Sequence, residues 1–119
     1  RGDLRRGELA TLPYGDASMD AVLDGAAIQH NPPDSIRVIL RECLRVLKPG
    51  GRFFGTMVAE DSYGVSHSRR THFFARDEFA DYFRDFCELS VGSVEYINGD
   101  DIRSQKFWLV EARKPEGIK

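Results

Sequence analysis

The most constraining feature of this sequence is RVLKPGGRFF at residues 45–54, where a basic, leucine-rich segment meets two phenylalanines across Pro-Gly-Gly. Upstream, apolar residues recur three and four positions apart over residues 36–47, which predicts an amphipathic helix. Pro49 cannot continue a helix and Gly50 readily takes the positive φ that ends one, so we expect the helix to stop just before them. Residues 52–58 are short and mostly apolar, which predicts a strand covered on both faces.

The rest of the sequence predicts further strands and helices. A short apolar strand precedes the helix, whose N-cap we assign to Asp34 or Ser35. Aromatic spacing of three and four predicts a second helix, and two more strands follow, with a bulge near Gly92 and Ser93. The predicted ranges are 19–23 for the first strand, 76–86 for the second helix, and 89–97 and 107–113 for the last strands. Strands joined by a helix pair in parallel and strands joined by a turn pair antiparallel, so the fold class is α/β.

Composition excludes several classes of protein. With 119 residues the chain forms one domain at most, and a net charge of -2 gives no electrostatic case for nucleic acid. No apolar run approaches the ~18 residues that span a bilayer, and no signal-peptide pattern is present. Cys43 and Cys87 lack metal-ligand spacing and are typical of a reducing compartment, so we expect a cytoplasmic protein. His67 and His72 have no cysteine or carboxylate partner in a metal pattern, so we expect no metal.

Two motifs in register resemble those of class I S-adenosylmethionine (SAM)-dependent methyltransferases. Residues 7–20 (GELATLPYGDASMD) are similar to the family's Gly-Asp-x-x-x-Leu-Pro-Phe-x-Asp-x-Ser-Phe-Asp signature. Residues 42–51 (ECLRVLKPGG) resemble its Glu-x-x-Arg-x-Leu-Lys-Pro-Gly-Gly run. The likeness is close over residues 7–58 and looser beyond. It implies a Rossmann-like sheet, of which this chain supplies the strands in spatial order 4-5-7-6, with the last strand antiparallel.

The same resemblance implies a domain division and a cofactor. The family's Gly-rich SAM loop is not among these residues, and the sequence begins abruptly at Arg1, without a cap or a lead-in. We therefore expect residues 1–119 to be the C-terminal part of a single methyltransferase domain. Its cofactor is SAM, and its implied partner is the missing N-terminal half of the same domain.

Four residues are predicted to contact the cofactor. Glu8 falls at the family's adenine-facing acidic position, where a carboxylate suits the exocyclic amine and the N–H of Leu9 suits the ring nitrogen. Asp24 and Gly25 follow the first strand, where open α/β sheets bind ligands, and the resemblance places them beside the methionine portion. The alternative interpretations need no resemblance to the family. In them, Glu8 is a solvated loop carboxylate, and Asp24 and Gly25 form a turn that ends the strand.

The acceptor side is predicted from a histidine and a loop. His30 follows the first strand and is a candidate base or acceptor contact; the alternative is a capping or packing histidine before the Pro-Pro pair. Tyr63, Arg69 and His72 lie in the polar loop of residues 59–75, which we expect to cover the substrate. The alternative for that loop is a solvated basic segment. Four other residues of the motifs are assigned structural roles. Asp16 belongs to a turn and Asp20 to the start of the first strand. Glu42 and Arg45 are expected to form a surface pair.

Two functional classes remain open from the sequence. The first is SAM-dependent methyl transfer to a small-molecule acceptor, with no nucleic acid and no membrane involved. The second is a non-catalytic methyltransferase-like module, or one half of a split protein, that works by association. A truncated sheet would expose the edge of its first strand, and such an edge invites a partner. A dinucleotide-dependent reductase is disfavoured, because the two motifs have no role in such a site.

Overall fold

Four strands form one mixed sheet in the computed structural model, which describes residues 4–61, 71–97 and 104–117. The strands are β1 (Met19–Gly25), β2 (Leu47–Val58), β3 (Cys87–Ile97) and β4 (Ser104–Arg113), and the helices are α1 (Pro33–Val46) and α2 (Phe79–Tyr82). Short 3-10 turns cover Ile28–His30 and Arg76–Glu78. The spatial order is β1-β2-β4-β3. β1 runs parallel to β2, and β4 runs antiparallel to both of its neighbours, which confirms the predicted fold class.

Helix α1 follows from its apolar stripe, but both of its ends differ from the prediction. The N-cap is Pro32 rather than Asp34 or Ser35, and the Pro32 carbonyl accepts the N–H of Ile36 at 3.0 Å. Pro33 is the first helical residue, and proline suits that position because the first helical N–H groups lack partners within the helix. The helix ends at Val46, earlier than expected, and buries one continuous stripe. Its members are Ile36, Ile39, Leu40, Cys43 and Val46.

The Pro-Gly-Gly segment lies inside β2 instead of between helix and strand. Leu47 already pairs with Met19, and the next pair in register is Ala21 with Arg52, so the intervening residues of β2 bulge outwards. Gly50 supplies the positive φ of 83° that the bulge needs. Backbone bonds from Gly50 N–H to Lys114 O, at 2.9 Å, and from Lys114 N–H to Gly51 O, at 2.8 Å, close the bulge. Lys114 is therefore anchored to β2 by its backbone.

The core lies on one face of the sheet only. Phe53 and Met57 of β2 and Val110 of β4 are buried against α1 and the aromatic side chains around α2. Trp108 joins them and donates its Nε1–H to the buried carbonyl of Phe74 at 2.8 Å. On the opposite face, Phe54 is 38% exposed. The prediction that β2 is covered on both faces is thus wrong for the chain as described.

The second helical region is shorter than its aromatic spacing predicted. Its α-helical part spans only four residues, and the chain leaves the helix at Phe83, whose φ is -106°. The rings of Phe53 and Phe83 pack 5.4 Å apart, so the aromatic contacts predicted for a helix are made by a turn. The irregularity in β3 lies at Glu88, with φ of 51°, rather than at Gly92 and Ser93. The predicted turn at residues 98–101 lies outside the described residues.

Candidate functional site

The parallel strands β1 and β2 bring several polar groups to their shared carboxyl edge. Asp24, near the end of β1, accepts hydrogen bonds at Oδ1 from the N–H groups of Ala27, at 2.9 Å, and Ile28, at 3.3 Å. Burial raises the pKa of Asp24, and those two amides and the nearby charge of His30 oppose the rise. The Asp24 carboxylate therefore shapes the turn that carries His30. Gly25 is exposed, with open space where a side chain would project.

Gln29 joins three segments at this edge and was missed by the sequence analysis. Its side chain is 3% exposed, and its Oε1 accepts the N–H of Val58 at 2.6 Å. Its backbone carbonyl accepts the N–H of His72 at 2.7 Å. The N–H of Phe74 in turn donates to Val58 O at 2.9 Å. The turn after β1, the end of β2 and residues 71–75 are thereby fastened together. No motif marks Gln29, so only its burial reveals it.

His30 lies exposed at the same edge and pairs with a residue far along the chain. Its Nδ1 lies 3.0 Å from Oγ1 of Thr71. The two residues are 41 positions apart in sequence, and Thr71 lies outside the two motifs. A histidine held by one ring nitrogen keeps the other for a reaction partner. The arrangement is compatible with a base, although the catalytic role of His30 stays a prediction.

His72 points its side chain away from this edge. Its Nε2 lies 2.8 Å from Oε1 of Glu78, and its ring meets the ring of Phe74 edge-on at 4.5 Å. Tyr82 contacts the same ring at 6.1 Å. The structure therefore brings the backbone of His72, but not its imidazole, to the carboxyl edge. Tyr63 and Arg69, the other predicted acceptor contacts, lie outside the described residues.

Glu8 and Leu9 occupy an exposed turn. The Glu8 carbonyl accepts the N–H of Thr11 at 3.1 Å and closes that turn. Within residues 4–61, 71–97 and 104–117, no hydrogen bond uses the Glu8 carboxylate or the Leu9 N–H, and none joins them to Asp24 or Gly25. An uncommitted carboxylate next to an uncommitted amide fits an exocyclic amine and its neighbouring ring nitrogen. These residues thus fit one end of the cofactor, and the assignment remains a prediction.

The two sequence motifs meet in one hydrogen-bonded clamp. Arg45 donates from Nε to Glu42 Oε1 at 2.9 Å and from Nη1 to Asp16 Oδ1 at 2.7 Å. It also donates from Nη2 to the carbonyls of Leu12, at 3.2 Å, and Tyr14, at 2.9 Å. Glu42 Oε2 accepts the Leu12 N–H at 2.7 Å. The pair predicted for Glu42 and Arg45 exists, and it fixes the loop that connects Glu8 to β1.

This clamp also shifts the pKa of its charged members. The hydrogen bond from Arg45 holds the pKa of the Glu42 carboxyl below its ordinary value, and the Leu12 amide adds to that effect. Glu42 raises the pKa of the Arg45 guanidinium, with Asp16 as the second cause. Both groups are consequently charged at neutral pH.

A broad groove crosses the open face of the sheet. It has a volume of about 490 Å³ and is walled by side chains of all four strands. Leu23, 78% exposed, and Leu109, 42% exposed, line it together with Phe54. A second groove of about 260 Å³ continues it past Thr56 towards Tyr96. An exposed apolar surface of this kind marks an interaction site or a ligand groove.

In the described part of the chain, no group of three or more histidine, cysteine or acidic side chains is arranged to hold a metal ion. None of the helices in the same residues is long and apolar enough to cross a bilayer.

Comparison with known proteins shows which class of protein this chain resembles. Residues 2–55 match the sequence model of the methyltransferase domain family. A protein of Mycolicibacterium smegmatis named as an S-adenosylmethionine-dependent methyltransferase is 45% identical over 53 residues, which is 44% of this chain and 20% of that protein. A malonyl-[acyl-carrier protein] O-methyltransferase of Coxiella burnetii is 37% identical over 62 residues, which is 52% of this chain and 21% of that protein.

Solved structures extend the likeness to nearly the whole chain. A SAM-dependent methyltransferase of Thermotoga maritima superposes with a TM-score of 0.71 at 22% identity, covering 91% of this chain and 62% of its own. The 1,6-didemethyltoxoflavin-N1-methyltransferase of Burkholderia thailandensis gives 0.68 at 24% identity, covering 91% and 48%. These likenesses establish the fold. The chain is thus similar in sequence to SAM-dependent methyltransferases over about half of its length and in fold over nearly all of it, in keeping with the two motifs, and it spans about a fifth of the curated relatives it matches.

Proposed function

We propose that the chain is the C-terminal part of a single SAM-dependent methyltransferase domain that methylates a small molecule. The observation that carries this proposal is the carboxyl edge of β1 and β2, which gathers Asp24, Gly25 and His30 next to an open sheet face. Ligands of open α/β sheets bind outside the carboxyl ends of the strands. The Burkholderia relative is named for its action on 1,6-didemethyltoxoflavin, which supports a small-molecule acceptor.

The chain's own residues have three tasks in such an enzyme. Glu8 and Leu9 bind the adenine edge, Asp24 and Gly25 shape the floor beside the methionine portion, and His30 takes a proton from the acceptor where one must leave. The bound cofactor supplies an activated methyl group on a sulfonium, ready for in-line displacement. Since the leaving group is good, the protein mainly has to position the acceptor.

The open face supports the domain division within this proposal. Parallel strands belong to sheets covered on both faces, yet Leu23 and Phe54 lie exposed on β1 and β2. We infer that an N-terminal segment of the same domain covers this face and supplies the remaining cofactor contacts. The alternative is a non-catalytic module whose open face binds another protein, and the exposed groove is the observation that favours it.

Calorimetry with SAM tests the proposal and separates these alternatives. Residues 1–119 alone should bind SAM weakly or not at all, whereas a longer product of the same gene should bind it with a micromolar Kd. Micromolar binding by the 119-residue chain would refute the division of the site. Failure of any longer product to bind, or a start codon directly before Arg1, would favour the interaction module.

A substitution at Glu8 tests the adenine contact. In a SAM-binding product, Glu8→Ala should weaken binding roughly 10- to 100-fold, as expected for loss of a charge-assisted hydrogen bond. Asp85→Ala, at an exposed carboxyl in the turn after α2, is the matched control and should leave the Kd unchanged. Equal dissociation constants for the Glu8 variant and wild type would remove Glu8 from the site.

A further inference from the structure

The contact between His30 and Thr71 assigns a role to a residue outside both motifs. His30 Nδ1 lies 3.0 Å from Thr71 Oγ1, and among the described residues no hydrogen bond uses His30 Nε2. A neutral imidazole carries one proton, and the hydrogen bond of one ring nitrogen sets the state of the other. We propose that Thr71 is a positioning residue, whose hydroxyl oxygen accepts the Nδ1–H of His30 and thereby presents Nε2 as the proton acceptor.

The backbone on each side of this contact is held in place. The Asn31 side chain, next to His30, donates to the carbonyl of Ile28 at 3.1 Å. The N–H of His72, next to Thr71, donates to the carbonyl of Gln29 at 2.7 Å. Both partners of the contact are therefore flanked by fixed residues, and the Thr71 hydroxyl meets a ring whose position is already restricted.

The proposed tautomer accounts for the complete path of one proton. A proton that leaves the methyl acceptor moves to Nε2 and converts the ring to imidazolium, while Nδ1–H continues to donate to Thr71. The charge of the ring is favourable near the Asp24 carboxylate, with which it interacts electrostatically. His30 is exposed, so the proton then passes to water. This role rests on the proposed methyl transfer, but the tautomer itself does not.

Nuclear magnetic resonance of the 119-residue protein without ligands tests the tautomer directly. Two-bond proton–nitrogen spectra identify which ring nitrogen carries the proton, and His30→Gln assigns the signals. The wild type should show His30 protonated at Nδ1. Thr71→Val, which removes the hydroxyl at nearly constant shape, should abolish this preference, and Thr71→Ser should restore it. His72, which pairs with Glu78, is the internal control and should be unchanged in both variants.

Each result supports or overturns the assignment. A wild-type His30 protonated at Nε2, or a Thr71→Val spectrum identical to wild type, overturns it, and the wild-type result decides even where Thr71→Val does not fold. A methyl-transfer assay separates this role from the proposed function. In an active product, Thr71→Val should lower kcat and Thr71→Ser should recover it, with KM for SAM unchanged. If the tautomer is confirmed but longer products of the gene have no methyltransferase activity, the proposed function is refuted and the contact stands.

Discussion

Phe53 and Phe54 are adjacent in sequence and lie on opposite faces of the same strand. Phe53 is fully buried, with its ring 5.4 Å from that of Phe83, whereas Phe54 lines the open groove and is 38% exposed. The alternation follows from the period of two along a strand. Substitutions in this dipeptide can therefore probe the buried face and the open face of the sheet separately.

Alanine substitutions at these two positions should differ sharply. Phe53→Ala should lower the free energy of unfolding by about 3–5 kcal/mol, because it leaves a cavity in the core. Phe54→Ala should lower it by about 1 kcal/mol in the 119-residue chain, because the ring is only partly buried. Urea unfolding followed by circular dichroism measures both values. In a longer product in which the open face is covered, the cost of Phe54→Ala should rise towards that of Phe53→Ala; equal costs in the short chain would contradict the one-sided core.

The positive φ of Gly50 makes a second pair of substitutions informative. Gly50→Ala should destabilise the chain by about 1 kcal/mol or more, because an added Cβ is strained at this backbone conformation. That Cβ would also lie 2.8 Å from Glu116 Oε2. Gly15→Ala, where open space surrounds the new methyl group, should be neutral or slightly stabilising. The midpoints of urea unfolding of the two variants, each compared with wild type, test this prediction. If Gly50→Ala left the midpoint unchanged, the bulge in β2 would be contradicted.

The clamp predicts a specific dependence of stability on pH. The folded-state pKa of Glu42 is lowered, so its contribution is fully present above the unfolded pKa of about 4.3 and is lost as pH falls through the folded value. Glu42→Gln should therefore reduce stability at pH 7 and flatten its decline below about pH 4.3. In an Arg45→Gln background the same change should have little further effect, because Arg45 is the main cause of the shift. If the stability of Glu42→Gln declined at acid pH as steeply as that of wild type, the proposed contribution of the Glu42–Arg45 interaction would be disproved.

The two cysteines should differ in reactivity. Cys43 is 4% exposed, and burial, helped by the charges of Asp24 and Glu42, raises the pKa of its thiol to about 12. Cys87 is only partly buried. At pH 8 an aromatic disulfide reagent should label one thiol of the native chain rapidly and the second only on unfolding, since the thiolate is the reactive form. Cys87→Ser should remove the rapid phase, and a rapid phase that persists in that variant would show that Cys43 is accessible.

Much of the fold follows from local patterns in the sequence. The helix stripe and the apolar runs predicted the strand directions, because strands joined by a helix pair in parallel and strands joined by a turn pair antiparallel. The strand order was predicted from the resemblance to the methyltransferases, which the two motifs carry. The end of α1 was misplaced because Pro49 and Gly50 resemble a local helix stop, whereas Leu47 is already paired with Met19. Pairing with a strand from elsewhere in the chain overrode the local signal. The same reason applies to β3, whose irregularity falls at Glu88 and not at its glycine.

The candidate site was only half accessible to such reasoning. Asp24 and His30 could be proposed because they follow a strand and lie near a motif, and their roles stay predictions. The pair of Glu42 and Arg45, which the structure confirms, was predicted from their spacing. Gln29 and Thr71 were missed, since their contacts join segments that are 29 and 41 positions apart. Contacts of that separation depend on the assembled sheet. His72 illustrates the converse, because its loop position suggested a ligand contact while its ring pairs with Glu78.

The strand order has a consequence for how this protein is made. β4 is synthesised after β3 but lies between β2 and β3, and among the described strands it alone pairs with β3. While translation proceeds, β3 leaves the ribosome with no strand beside it, and its backbone groups are exposed until β4 follows. A messenger RNA truncated between the segments for β3 and β4 would yield a chain that lacks the strand lying between β2 and β3 in the sheet. The strand that joins the two sides of the sheet is the last of the four to be synthesised, so the sheet cannot assemble before β4 has been made.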